Sequence, residues 1–216
     1  MLEKRDCVIC TNESGLRLTK GTTKYYQCSN CKTIFCNALD NDNKVGGKFE
    51  VERNEKENHL RIERVNEVLM GLDKNEVRIL DFGSGTGYLI DDLKKAGYPN
   101  VDGYDAYNPK FQRLPEKNKY HLVISVETIE HFAYPFLEFD VMNRCLIDNG
   151  CVSLETGMLD AAIEDGHDID TYFYIDPIAG HSTIYSNHGL DLLMSYKGFF
   201  PKHHFNKHSR LYQKIK

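Results

Sequence analysis

No apolar run in this 216-residue chain approaches the roughly 20 residues of a membrane-spanning helix, so integral membrane function is set aside. The opening Met1-Leu2-Glu3-Lys4-Arg5-Asp6 lacks the apolar stretch of a secretory signal, so secretion is not expected and a cytoplasmic location is. Internal repeats and low-complexity tracts are missing. So is any Gly-Lys-Ser/Thr, which excludes the phosphate loop of nucleoside triphosphatases. What remains is 41% hydrophobic, enough to pack one α/β domain with a small appendage.

Acidic charge is scarce at both ends. Residues 1–36 carry net +3 and residues 197–216 net +6, which leaves −14 for the middle of a chain whose total is −5. That distribution speaks against a nucleic-acid footprint over the whole protein. The basic C-terminal run, with His203, His204 and His208, offers an attraction for a phosphorylated substrate, although a solvated surface accounts for it as well.

Seven cysteines is an odd number, and in a chain without an export signal disulfides are disfavoured. Four of them form Cys7-Val8-Ile9-Cys10 and Cys28-Ser29-Asn30-Cys31, two pairs 17 residues apart. This is the spacing of a four-thiolate zinc site, with each pair on a turn so that four sulfurs reach one tetrahedral ion. Leu16, Leu18, Tyr25 and Tyr26 would make a small hairpin between the pairs. A segment this short needs the metal for stability. Reduced thiols around a vacant site, or a thioredoxin-like redox pair, are the alternatives. Such knuckles commonly carry glycine after each pair, where this chain has Thr11 and Lys32. If φ is positive there, each position carries strain. Cys36, Cys145 and Cys151 read as small core side chains.

The centre of the chain is Arg78 to Tyr88. Ile79, Leu80 and Phe82 make a short strand interrupted by Asp81. Gly83, Gly85 and Gly87 then make a turn, and Tyr88 to Leu93 has helical spacing. Glycine lets the backbone take positive φ and approach a ligand closely, and the helix that follows aims its N–H groups into the turn. A dinucleotide fingerprint would place a third glycine where Tyr88 stands, so a nicotinamide oxidoreductase is not the reading.

Asp81-Phe82-Gly83-Ser84-Gly85-Thr86-Gly87 resembles the first motif of class I S-adenosylmethionine (SAM)-dependent methyltransferases of small-molecule type. The resemblance implies an α/β fold, a three-layer Rossmann-like, mostly parallel sheet, here with a small N-terminal zinc-ribbon appendage. It implies that Asp81, Gly83, Ser84, Gly85 and Gly87 cradle the methionine part of the cofactor. Asp105 ends a second strand, 18 residues beyond Gly87, and would accept from the ribose hydroxyl pair, with Ala106 and Tyr107 along the adenosine. No acid marks a third strand end, and backbone near Phe111 to Leu114 is left to read the adenine.

His121 to Val126 is a near-continuous apolar strand. It leads into Glu127-Thr128-Ile129-Glu130-His131 and Pro135, which resembles the family's fourth motif beside the methionine end of the cofactor. Glu127 and Glu130 would bond cofactor or substrate there. His131 is a candidate general base, or a structural hydrogen bonder. Gly180-His181-Ser182-Thr183-Ile184-Tyr185-Ser186, with Gly198-Phe199 further on, resembles the family's late motif. It makes His181, Tyr185 and Tyr174 candidates for substrate contact or proton transfer. Ser186 has the character of a helix N-cap.

The expected organisation is a four-cysteine zinc ribbon over residues 1–36, a linker and surface helix over 37–76, and the SAM-dependent methyltransferase domain over 77–216. Charge on the helix between Glu50 and Leu72 reads as a solvated face. The expected cofactors are SAM and zinc, and the expected acceptor is a small molecule such as a sugar or nucleotide-linked sugar. Neither nucleic acid nor membrane is an expected partner. The rival readings are an RNA methyltransferase with the ribbon as reader, or a non-catalytic SAM-binding or zinc interaction module.

Overall fold

The computed structural model describes residues 3–36 and 55–215, and two sheets organise them. The linker expected at 37–48 lies outside the described residues, as do positions 50–54 of the helix expected from Glu50.

The N-terminal sheet is antiparallel. β1 (Lys4–Asp6) pairs with β2 (Glu13–Lys20), which turns back through Gly21 at φ 60° into β3 (Thr23–Cys28) and then β4 (Ile34–Cys36). Leu16 faces Tyr26 and Leu18 faces Tyr25 across the hairpin. The adjacent tyrosines point to opposite faces, as neighbours in a strand must, yet both are fully buried. Tyr26 packs with the cysteine cluster and Phe35, and Tyr25 with Leu159, Tyr172 and Tyr174 of the larger body. The segment is thus covered on both faces, which a free-standing ribbon would not be.

The larger sheet comprises β5 (Ile79–Phe82), β6 (Val101–Tyr104), β7 (Tyr120–Val126), β8 (Leu146–Glu155), β10 (Phe199–His204) and β11 (Ser209–Lys214). Their spatial order is β10-β11-β8-β7-β5-β6. β6, β5, β7 and β8 run parallel, β11 is antiparallel to β8, and β10 is antiparallel to β11. β11 and β10 thus close the sheet as an antiparallel pair. Alternation along the strands sorts the core into two faces. Ile79, Leu122, Ile124 and Cys151 pack under Val65 of α1 (Glu55–Val68), Leu69 just beyond it, and Ile90 and Leu93 of α2 (Tyr88–Lys95). Leu80, Phe82, Val123 and Val152 pack under α3 (Pro135–Cys145) and α5 (Asn187–Tyr196) through Phe139, Met142, Leu190 and Leu193. Burying each such aliphatic side chain contributes on the order of 1.5–3 kcal/mol. The result is the expected three-layer α/β fold.

Between Tyr104 and Tyr120 no strand forms, so β6 is the edge of the sheet. Nor is the charge on α1 all solvated. Arg61 donates to Glu155 Oε1 at 3.1 and 2.5 Å, and Arg64 donates to Glu155 Oε2 and, at 2.8 Å, to Ser209. The two guanidiniums keep only 13% and 20% of their side-chain exposure because β8 ends beneath them. Between Met158 and Asp168, only Leu159–Glu164 is helical, as α4.

The two sheets are joined. β9 (Thr183–Ile184), from the C-terminal half, pairs with β4 as the fifth strand of the N-terminal sheet. Tyr25 donates to the His181 carbonyl at 2.9 Å, and the Ser186 hydroxyl donates to the Cys31 carbonyl while capping α5 through Gly189 N at 2.8 Å.

Candidate functional site

β5 delivers the chain to the glycine turn, where Gly83, Gly85 and Gly87 have φ of 85°, 50° and 87°. Each has its own reason. A Cβ on Gly83 would collide with the Thr128 side chain, and one on Gly87 would stand 2.8 Å from the Phe111 ring. A Cβ on Gly85 would meet nothing within 4 Å. The turn is thus packed on both shoulders and open in the middle. Gly83 and Ser84 N–H groups donate to the Tyr104 carbonyl at 2.7 and 3.1 Å, which ties the turn to the end of β6.

Asp105 lies across from it. Its Oδ2 accepts from Gly85 N at 2.9 Å, and its Oδ1 from Tyr107 N and Asn108 N at 2.8 and 2.9 Å. Asn108 Nδ2 donates to the Gly85 carbonyl at 2.6 Å, so both backbone polar groups of Gly85 are held by the loop after β6. A carboxylate has about four acceptor positions, and the three used here leave one on Oδ2 for an incoming hydroxyl. Ala106 and Tyr107 are exposed beside it. The Ser84 hydroxyl is buried with no hydrogen-bond partner among the described residues, a cost that a polar ligand in the turn would remove. Asp81 is buried beneath, and burial lifts its carboxyl to about 7, with Asp105 adding to the shift and Arg61 partly offsetting it. An open glycine, an orphaned hydroxyl and a carboxylate with a spare lone pair suit the methionine and ribose parts of SAM.

β7 ends at Val126, and Glu127 turns the chain with φ 44°, a strained angle for a residue with a Cβ. Thr128 then rests on Gly83, and the 3-10 turn Ile129–His131 follows. Glu130 is fully buried. Its Oε2 accepts from Thr156 at 2.8 Å and its Oε1 from the Tyr174 hydroxyl at 2.8 Å, which also lies 2.9 Å from Glu127 Oε2. Gly157 N donates to the same tyrosine oxygen at 2.9 Å. One phenol proton can serve only one of the two carboxylates at a time. Burial and the neighbouring Glu130 accordingly raise Glu127 to about 7.

His131 and His181 meet edge to face with ring centres 4.9 Å apart. His131 Nδ1 lies 3.3 Å from the Gly180 carbonyl, and His181 Nδ1 lies 2.6 Å from that of Tyr174. Burial and His181 hold His131 down to about 4, so it remains neutral imidazole and loses the near-neutral pKa on which its reading as a base rested. Tyr185 is corrected further. It is fully buried and donates to the Ile129 carbonyl at 3.1 Å, which props the 3-10 turn from behind instead of facing a substrate. Thr156 and Asn108 are site residues that no spacing in the sequence announced.

At the N-terminal sheet, Cys7 and Cys31 sulfurs are 3.6 Å apart and those of Cys10 and Cys28 are 3.4 Å apart. All four lie within 4.8 Å of one another. A tetrahedron with zinc–sulfur bonds of about 2.3 Å has edges of about 3.8 Å, so the four thiols fit such an ion with little movement. Ile9 N and Cys31 N each donate to a cysteine sulfur at 3.4 Å. Thr11 and Lys32 take φ of 57° and 64°, the positive angles at which glycine would be unstrained. A cleft of about 290 Å³ lies between this sheet and the start of α3, lined by Val8, Cys36 and residues 133–137.

Comparison with known proteins agrees with this geometry. The model of the methyltransferase domain family matches residues 52–202. Among solved structures, the PH0226 protein from Pyrococcus horikoshii OT3 shares 18% identity over 76% of this chain and 93% of its own, with a TM-score of 0.52. A SAM-dependent methyltransferase from Aquifex aeolicus shares 15% over 72% and 89%, at 0.51. A chain from the complex of the Haloferax volcanii Trm112 methyltransferase activator with a methyltransferase shares 13% over 69% and 75%, at 0.52. No curated protein matches the sequence. The chain belongs to the methyltransferase domain family and is an enzyme, a SAM-dependent methyltransferase. Among the described residues no helix is long and apolar enough to cross a membrane.

Proposed function

We propose that this enzyme moves the methyl group of SAM to a small-molecule acceptor, such as a sugar or nucleotide-linked sugar, that enters between the N-terminal sheet and residues 127–137. The observation that carries the reading is the glycine turn, open at Gly85 and lined by the orphaned Ser84 hydroxyl and the spare acceptor position of Asp105.

When bound, SAM supplies a methyl group on a cationic sulfur, ready for in-line displacement. The chain mainly has to align the acceptor with it. Gly83, Ser84, Gly85 and Gly87 hold the methionine part, Asp81 faces its amino group, and Asp105, Ala106 and Tyr107 hold the nucleoside. Glu127 reaches the cofactor side of the mouth. Glu130, locked by Thr156 and Tyr174, fixes the wall on which His131 and His181 present their rings to the acceptor.

Zinc held by Cys7, Cys10, Cys28 and Cys31 would make residues 1–36 a rigid cap, followed by the linker and helix of 37–76 and the catalytic domain of 77–216. The −14 middle of the chain favours a small acceptor over RNA, and the reading places the enzyme in the cytoplasm. Calorimetry with SAM tests the core of it. Saturable binding that Asp105→Ala weakens more than tenfold is expected, and absence of saturation overturns the assignment. A screen of hydroxyl- and amine-bearing metabolites with methyl-labelled SAM then identifies the acceptor.

A further inference from the structure

The histidine pair has a feature that substrate contact alone does not require. Each imidazole Nδ1 faces a backbone carbonyl, His131 that of Gly180 at 3.3 Å and His181 that of Tyr174 at 2.6 Å. A carbonyl only accepts, so in the tautomer that bonds it each Nδ1 carries the proton and Nε2 offers a lone pair. This is how ligating histidines are usually held, with the outer nitrogen pinned to a carbonyl or carboxylate. A carboxylate completes the set. Glu130 Oε1 lies 3.9 Å from His131 Nε2, and one ligand atom from each of Glu130, His131 and His181 falls within 4.8 Å of the others. Bonds of about 2.0–2.2 Å to a metal need ligand atoms about 3–3.5 Å apart, a closure that small side-chain rotations supply. The carboxylate is itself hydrogen-bonded by Thr156 and Tyr174, as ligating carboxylates are. Glu130 is buried while the two imidazoles are half-buried, so the imidazole side of the triangle is the one that solvent reaches.

We propose that Glu130, His131 and His181 bind a divalent transition-metal ion, separate from the four-cysteine cluster, which holds the acceptor through its oxygen atoms. Two imidazoles and one carboxylate with an open side suit zinc, iron(II) or manganese(II). The site rests on the methyl-transfer reading for its purpose, but not for its existence. The backbone favours it too. Ser182 N donates to the Glu130 carbonyl at 2.8 Å, so the two segments that supply ligands are stitched together next to them.

The test uses the full-length protein equilibrated with zinc and dialysed. Elemental analysis is expected to give two zinc ions per chain, falling to one in Glu130→Gln and in His181→Gln, in protein that still melts cooperatively. X-ray absorption at the zinc edge of the unmodified protein provides a readout independent of the variants. A nitrogen and oxygen shell near about 2.0–2.1 Å is expected beside the sulfur shell near about 2.3 Å. One zinc per chain with a pure sulfur shell overturns the proposal, even if SAM binds normally. Two zincs with no SAM binding would leave the site standing and sink the methyl-transfer reading instead.

Discussion

The side chain of Thr128 fills the space that a Cβ on Gly83 would need. One contact thereby couples the cofactor turn to the segment carrying Glu127, Glu130 and His131. Gly83→Ala must push that segment away and hold alanine at φ 85°, a combined cost of about 2–4 kcal/mol. Gly85→Ala faces open space, so its strain is about 1–2 kcal/mol. Urea unfolding is expected to rank Gly83→Ala as the more destabilised of the two. Calorimetry is expected to show SAM binding weakened at least tenfold in both, because the second places its new methyl inside the cradle. Equal stabilities would refute the packing argument.

Asp81 gives a pH dependence with a definite sign. Its folded-state pKa of about 7 lies above the ordinary carboxylate value, so between about pH 4 and 7 the folded protein holds a proton that the unfolded chain has released. Its contribution to stability therefore falls as pH rises through that window. The ammonium of SAM favours the charged carboxylate, and binding is expected to expel the proton. SAM affinity should then climb between about pH 6 and 7, by at most about tenfold per pH unit for one proton. Asp81→Asn should flatten that slope and stabilise the ligand-free protein at about pH 8. A flat wild-type profile would remove Asp81 from the cofactor's amino group.

Glu155 holds Arg61 and Arg64 on the end of β8. Burial alone would raise its carboxyl, but Arg61 and then Arg64 outweigh that and hold it below the ordinary range. Replacing it by alanine leaves the largely covered Arg64 without a carboxylate among the described residues and Arg61 with only the exposed Glu57, which should cost roughly 3 kcal/mol of unfolding free energy. Chemical denaturation of Glu155→Ala measures it. A loss under about 0.5 kcal/mol would mark the network as a surface ion pair.

Thr11 and Lys32 sit where glycine would be at ease. Thr11→Gly and Lys32→Gly are each expected to stabilise the N-terminal sheet by about 1 kcal/mol, the threonine more because it is branched at Cβ. Melting curves of the single variants decide the matter, and a lowered midpoint in both would sink it.

Local chemistry made much of this legible in advance. The Gly83–Gly87 turn, the strand at 121–126 and the Ser186 cap all depend on near neighbours, and all form where residue type and spacing place them. Even the strain at Thr11 and Lys32 follows from knuckle geometry. What escaped was long-range. Nothing around Thr156 or Tyr174 hints that both would close on Glu130, because that meeting depends on how β8 and the loop before β9 pack. Arg61 and Arg64 look like any charged helix surface until β8 ends beneath them. His131, which best fitted a base by type, has its pKa lowered to about 4 by burial, which one-dimensional spacing does not encode.

The pairing of β4 with β9 has one more consequence. The short strand that follows His181 belongs, by its hydrogen bonds, to the cysteine-bearing sheet, although the chain reaches it only after the whole cofactor half has been laid down. Oxidising or alkylating the thiols would thus be felt directly at the imidazoles. Excising the first 36 residues would strip the backbone that keeps this loop in place, so the N-terminal segment cannot be exchanged as an interchangeable cassette.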